Sequence, residues 1–120
     1  MAYFPFFVQL ENVPALVIGG GRVALGKVSR LLPYGPHLTV VSPQFLPELE
    51  TIPSLTLIRR FFIPEDLEGM SFVVAAAGPE VDTQVVARLC RERGLPVNVV
   101  DNRDESSFIF PALLRRGDLS

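Results

Sequence analysis

Three consecutive glycines, Gly19-Gly20-Gly21, stand between a continuous apolar run, Ala15-Leu16-Val17-Ile18, and a stretch in which Val23, Ala24, Lys27, Val28, Leu31 and Leu32 recur at helical spacing. The apolar run has the character of a short strand covered on both faces, which is how strands of parallel sheets read. A chain that leaves such a strand through glycines and enters a helix at once has little choice of architecture. It must be an α/β unit whose strand end and helix start are separated by one tight turn. Pro33 and Gly35-Pro36 supply the stop for that helix.

The remainder of the chain repeats the alternation. Leu38 to Val41 reads as a second strand, followed by a short helical connection opened by Pro43 and running through Phe45, Leu46 and Leu49. Thr56-Leu57-Ile58 reads as a third strand leading into Arg59 and Arg60, with a short helical turn from Pro64 to Glu68 ended by Gly69. Phe72 to Ala77 is a fourth strand, Val81, Val85, Val86, Leu89 and Cys90 mark one face of a helix closed by Gly94, and Val97 to Val100 is a fifth strand. An extended run over Phe6 to Leu10 precedes these elements, and a sixth extended piece is expected over Phe108 to Leu114. The pattern predicts one Rossmann-type domain over residues 1–120, a parallel sheet with helices on both faces and strand order 3-2-1-4-5-6.

Composition narrows the partners. With 11 Lys and Arg against 13 Asp and Glu and no basic run, the chain offers no broad attractive field to a polyanion, which argues against nucleic acid. No apolar stretch is long enough to span a bilayer and the start lacks a basic signal region, so a cytoplasmic protein with no membrane contact is expected. The single Cys90 has no Cys or His at metal spacing and reads as a small core residue; no metal site is expected. A hydrophobic content of 48 % is ample for one core and leaves apolar surface for a partner.

Gly19-Gly20-Gly21-Arg22-Val23-Ala24 has the form G-x-G-x-x-A. Gly19 makes the tight turn, Gly21 lets backbone approach a pyrophosphate, and Ala24 allows close packing of helix on sheet, while the helix start presents free N–H groups to phosphates. The acidic residue expected about 20 positions further on, which binds ribose hydroxyls, is missing. Ser42-Pro43-Gln44 stands there instead, and Ser42 and Gln44 can offer neutral hydrogen bonds to the adenosine ribose. At the end of the fifth strand, Asp101-Asn102 has two readings, a carboxylate placed for acid–base work or an ordinary turn. His37, at the opposite end of the sheet, reads as a loop residue.

Beyond these motifs, the blocks Phe4 to Leu10, Val17 to Ala24 with Lys27, Asn98-Val99-Val100-Asp101 and Ser107 to Ala112 together resemble the N-terminal domain of siroheme synthases and the free-standing precorrin-2 dehydrogenases, some of which are also sirohydrochlorin ferrochelatases. The resemblance implies NAD-dependent oxidation of precorrin-2 to sirohydrochlorin, with NAD along Gly19, Gly20, Gly21, Arg22 and Val23 and its adenosine end near Pro43 and Gln44. It implies Asp101 as the catalytic aspartate, a general base in dehydrogenation and an aid to insertion of ferrous iron in bifunctional members. Arg103, Arg115 and Arg116 become charge partners for the carboxylates of the tetrapyrrole. The family's chain continues into a helical region that dimerises, so a fragment of a longer homodimer is expected.

Three positions depart from the family: Gly26 where arginine is usual, Ala77 where threonine is usual and Thr83 where asparagine is usual. These departures sustain a rival reading, a catalytically inactive nucleotide-binding or partner-binding module. A further rival, a nucleotide sensor of the potassium-transport regulatory type, usually has an acidic residue where Ser42 stands.

Overall fold

A computed structural model describes residues 4, 7–79, 81–100 and 106–108. Five strands, β1 (Pro14–Ile18), β2 (His37–Val41), β3 (Thr56–Ile58), β4 (Phe72–Ala75) and β5 (Val97–Val99), form a single parallel sheet in the order β3-β2-β1-β4-β5. The first five places of the expected order are therefore realised. The sixth piece falls outside the described residues from position 109 onward, and Phe108 itself belongs to no strand. Residues 7–10 also enter no sheet, because the chain turns at once, with Val13 N–H donating to Leu10 O at 2.9 Å and Asn12 at a φ of 64°.

Helices α1 (Arg22–Leu31), α2 (Pro47–Glu50) and α3 (Thr83–Glu92) cover the two faces of the sheet. Alternation along the strands decides which side chain meets which layer. Ala15, Val17, Leu38, Val40 and Val74 pack with Ala24, Val28 and Leu31 of α1 and Leu49 of α2. The residues between them, Leu16, Ile18, Val41, Val73 and Ala75, pack with Val86, Ala87 and Cys90 of α3 and Leu67. β1 and β4 are apolar at consecutive positions because both of their faces are core, and Leu16, Val17, Val73 and Val74 are fully buried.

Two local expectations change. The second connection becomes helical at Pro47, not at Pro43, because Ser42 to Leu46 form a loop anchored elsewhere: Leu46 N–H donates to Gly20 O at 2.8 Å, and Ser42 Oγ accepts from Gln44 N–H at 3.4 Å. His37 is the first residue of β2 and not a loop residue, its N–H donating to Val13 O at 2.8 Å. It remains at the N-terminal edge, away from the glycine turn. Between β3 and β4 a 3-10 turn (Pro64–Leu67) is fastened by Asp66, which accepts from Ile63 N–H at 2.9 Å and from both terminal nitrogens of Arg60 at 2.9 and 2.7 Å.

Candidate functional site

The three glycines turn out to do three different things. Gly19 sits at a φ of +128°, where side chains are strained, and a Cβ there would lie 2.6 Å from the carbonyl oxygen of Ala76. The turn out of β1 can therefore pass the end of β4 only without a side chain. Gly20 packs inward: a Cβ would collide with the carbonyl of Gln44 and crowd Ser42 and Phe45. Its carbonyl receives the Leu46 N–H, so Gly20 docks the loop after β2 against the turn after β1.

Gly21 is the opposite case. A Cβ added there would meet nothing within 4 Å, so its backbone faces open space. It caps α1 with an extended φ of −98° and no side-chain hydrogen bond, while its carbonyl accepts from Leu25 N–H at 3.0 Å. The N–H groups of Arg22, Val23 and Ala24 meet no acceptor among the described residues, as the first turn of an uncapped helix requires. Three donors at the positive end of a helix dipole, behind a surface kept free of side chains, suit a phosphate or pyrophosphate. Ala24 is fully buried beneath them, as close helix–sheet packing demands.

Val23 is 48 % exposed on the rim, and the Arg22 guanidinium lies 3.6 Å from Glu48 in an exposed ion pair. Ser42 is only 6 % exposed, and its oxygen shapes the loop by accepting from Gln44, whose own side chain is in solvent. The structure thus brings Gly19, Gly20, Gly21, Arg22, Val23, Ser42, Pro43 and Gln44 together at the C-terminal edge of β1 and β2. From sequence, Gly20 is counted among the residues along NAD and not as the dock for the loop after β2, while Phe45 and Arg59 are placed in their elements without a part in the site. The guanidinium of Arg59 stands 5.1 Å over the Phe45 ring and bonds Glu50 at 2.6 Å. The signal for Arg59 was present: in a 3-2-1 order the third strand ends at the same edge as the second, so the residue after Ile58 had to lie beside Ser42.

Asp101, Arg103, Arg115 and Arg116 lie outside the described residues. The segment leading to Asp101 is held firmly. Val97 N–H and Val99 N–H each donate to a hydroxyl, of Ser107 and Ser106 respectively, both at 2.7 Å, and Asn98 Nδ2 donates to Phe108 O at 3.0 Å. Ala77 follows β4 half-buried, Thr83 is the first residue of α3, and Gly26 is exposed in the middle of α1. Cys90 is fully buried, and burial pushes its thiol up to about 11, which keeps it protonated and unreactive as a core residue. Among the described residues no three His, Cys, Asp or Glu side chains come together as a metal site, and no helix is long and apolar enough to cross a membrane.

A parallel α/β sheet whose first strand runs through glycines into an uncapped helix defines a dinucleotide-binding domain of Rossmann type. The chain belongs to a family of NAD(P)-binding domains, whose sequence model it matches over residues 6–112, and the residues that remain free at the glycine turn fit that cofactor. It is 38 % identical over 123 residues to a siroheme synthase of Pseudoalteromonas translucida, covering 100 % of this chain and 26 % of that one. It is 42 % identical over 120 residues to siroheme synthase 2 of Aeromonas salmonicida, covering 99 % and 25 % respectively. Among solved structures, SirC, a precorrin-2 dehydrogenase, superposes with a TM-score of 0.81 at 26 % identity, over 95 % of this chain and 57 % of that one. The chain spans about a quarter of the length of the curated relatives it matches.

Proposed function

We propose that this chain is the NAD-binding part of an enzyme that oxidises precorrin-2 to sirohydrochlorin in siroheme biosynthesis. One observation carries the reading: an uncapped α1 N-terminus behind a side-chain-free Gly21, on a chain whose siroheme synthase relatives align with it from end to end. When bound, NAD supplies the hydride acceptor. The residues of the chain do the rest. The N–H groups of Arg22, Val23 and Ala24 hold the pyrophosphate, Gly21 admits it, and Pro43 and Gln44 border the adenosine end.

Asp101 takes the proton that the tetrapyrrole loses as the hydride leaves, so the substrate gives up one hydride and one proton and gains a double bond. Arg103, Arg115 and Arg116 pair with substrate carboxylates. The same carboxylate of Asp101 can accept pyrrole protons while ferrous iron enters sirohydrochlorin as a second substrate. The reading places the full-length protein in the cytoplasm as a homodimer that binds neither nucleic acid nor membrane.

The test is precorrin-2 oxidation by the full-length protein, followed by NADH formation. Turnover with NAD that falls by about 1,000-fold in Asp101→Asn, with NAD affinity unchanged, supports the assignment. Tight NAD binding with no precorrin-2 oxidation would favour an inactive module, the reading that Gly26, Ala77 and Thr83 sustain.

A further inference from the structure

Dinucleotide-binding domains of this type that take NAD usually place a carboxylate at the end of the second strand, where it bonds the ribose hydroxyls and repels a phosphate. Here that position is Ser42. The β2–β3 register pairs Val41 with Ile58, and the Ser42 N–H carries the ladder one step further by donating to Ile58 O at 3.1 Å. Arg59 is therefore the residue that flanks Ser42 at the edge of the sheet. Its guanidinium lies over Phe45, and that ring in turn stands against the glycine turn, its Cδ1 being 3.0 Å from where a Cβ on Gly20 would be. Cation, ring and phosphate-binding turn are consecutive neighbours.

We infer that Arg59, with Ser42, forms a subsite for a phosphate on the adenosine ribose, so that the chain accepts the 2′-phosphorylated dinucleotide NADP alongside NAD. The inference rests on the dinucleotide reading above. A guanidinium offers a phosphate two parallel charge-assisted hydrogen bonds, and stacking on Phe45 limits the rotamers Arg59 must give up to make them. The competing partner is Glu50, at 2.6 Å, but both side chains of that pair are well exposed, at 55 % and 42 %, and an ion pair in solvent yields readily to a phosphate. The other charges flanking the loop, Arg22 and Glu48, neutralise each other at 3.6 Å. No carboxylate occupies the strand end itself.

Calorimetric titrations of the chain with NAD and NADP, and with adenosine 2′,5′-bisphosphate against adenosine 5′-monophosphate, test this directly. The expected result is an NADP affinity within about tenfold of that for NAD, and a bisphosphate that binds at least about tenfold more tightly than the monophosphate. Arg59→Gln should weaken NADP and the bisphosphate by about tenfold or more while changing NAD by less than about threefold. Ser42→Asp should weaken NADP by about 100-fold more than it weakens NAD, through repulsion of the 2′-phosphate. NAD binding with NADP more than about 100-fold weaker, or equal losses for both dinucleotides in Arg59→Gln, would overturn the inference and leave the dinucleotide site standing. Failure of both dinucleotides to bind would remove the underlying reading and the inference with it.

Discussion

α1 and α3 are helices of ten residues each, and both follow a buried strand of the same sheet, yet their N-termini are finished in opposite ways. At α3 the carboxylate of Asp82 accepts from the N–H groups of Gln84 and Val85 at 3.0 and 3.4 Å, so the helix start is satisfied from within the chain. At α1 the capping residue is Gly21, no side chain reaches back, and the space before the helix is open. A cap of the Asp82 kind is worth about 1 kcal/mol. Its omission at α1 is a stability forgone at the one helix start that meets the glycine turn. The difference separates a helix end closed by the chain itself from one left open, where the proposed pyrophosphate would sit.

Moving a carboxylate from one type of start to the other is the severest test of that contrast. Gly21→Asp should weaken NAD by about 100-fold or more, because it places charge and volume at the proposed pyrophosphate site. The protein should stay folded, since Gly21 has an ordinary extended φ and free space around it, and a new cap should raise stability by a few tenths of a kcal/mol. Calorimetry for binding and thermal unfolding for stability would read the two opposite effects. Gly19→Ala, two residues earlier, should instead cost about 2 to 3 kcal/mol in unfolding experiments, from positive-φ strain together with the clash on Ala76.

Asp82→Ala sharpens the other side of the comparison: a loss of about 1 kcal/mol by chemical denaturation with NAD affinity unchanged. Gly26→Ala should give a gain of about 0.5 to 1 kcal/mol in the same measurement, because a Cβ at this exposed mid-helix site meets nothing. The smallest effect concerns pH. Burial raises the Asp66 carboxyl, but its hydrogen bonds from the Arg60 guanidinium and Ile63 N–H outweigh this and hold it below the usual carboxylate range. A carboxylate with a lowered folded pKa stabilises above its unfolded value and loses that contribution as pH falls through the folded one. Asp66→Asn should accordingly flatten the acid limb of stability against pH while leaving NAD binding alone.

Much of this organisation was legible because it is written in local chemistry. The buried strands announce themselves as continuous apolar runs, and the Gly-to-helix junction at residues 19–24 marks both the first crossover and the proposed phosphate site. What could not be read was long-range packing. Gly20 looks interchangeable with any residue until the loop from Ser42 to Leu46 is laid against it, and Pro43 looks like a helix start until the Leu46 N–H is seen to be used by Gly20. Arg59 reads as one more surface charge until strand order puts it beside Ser42. The hydroxyls of Ser106 and Ser107, which accept from the N–H groups of Val99 and Val97, were hidden in the same way, since nothing in the sequence shows that these side chains reach back to β5.

The most direct test is an NMR titration of the isotopically labelled chain with NAD, following backbone amides at both helix starts. The account predicts that the largest shifts fall on Gly21, Arg22, Val23 and Ala24, with Gln84 and Val85 smaller because Asp82 already occupies their N–H groups. Shifts centred on Gln84 and Val85, or saturation of NAD binding without movement of the Gly21 to Ala24 amides, would contradict it.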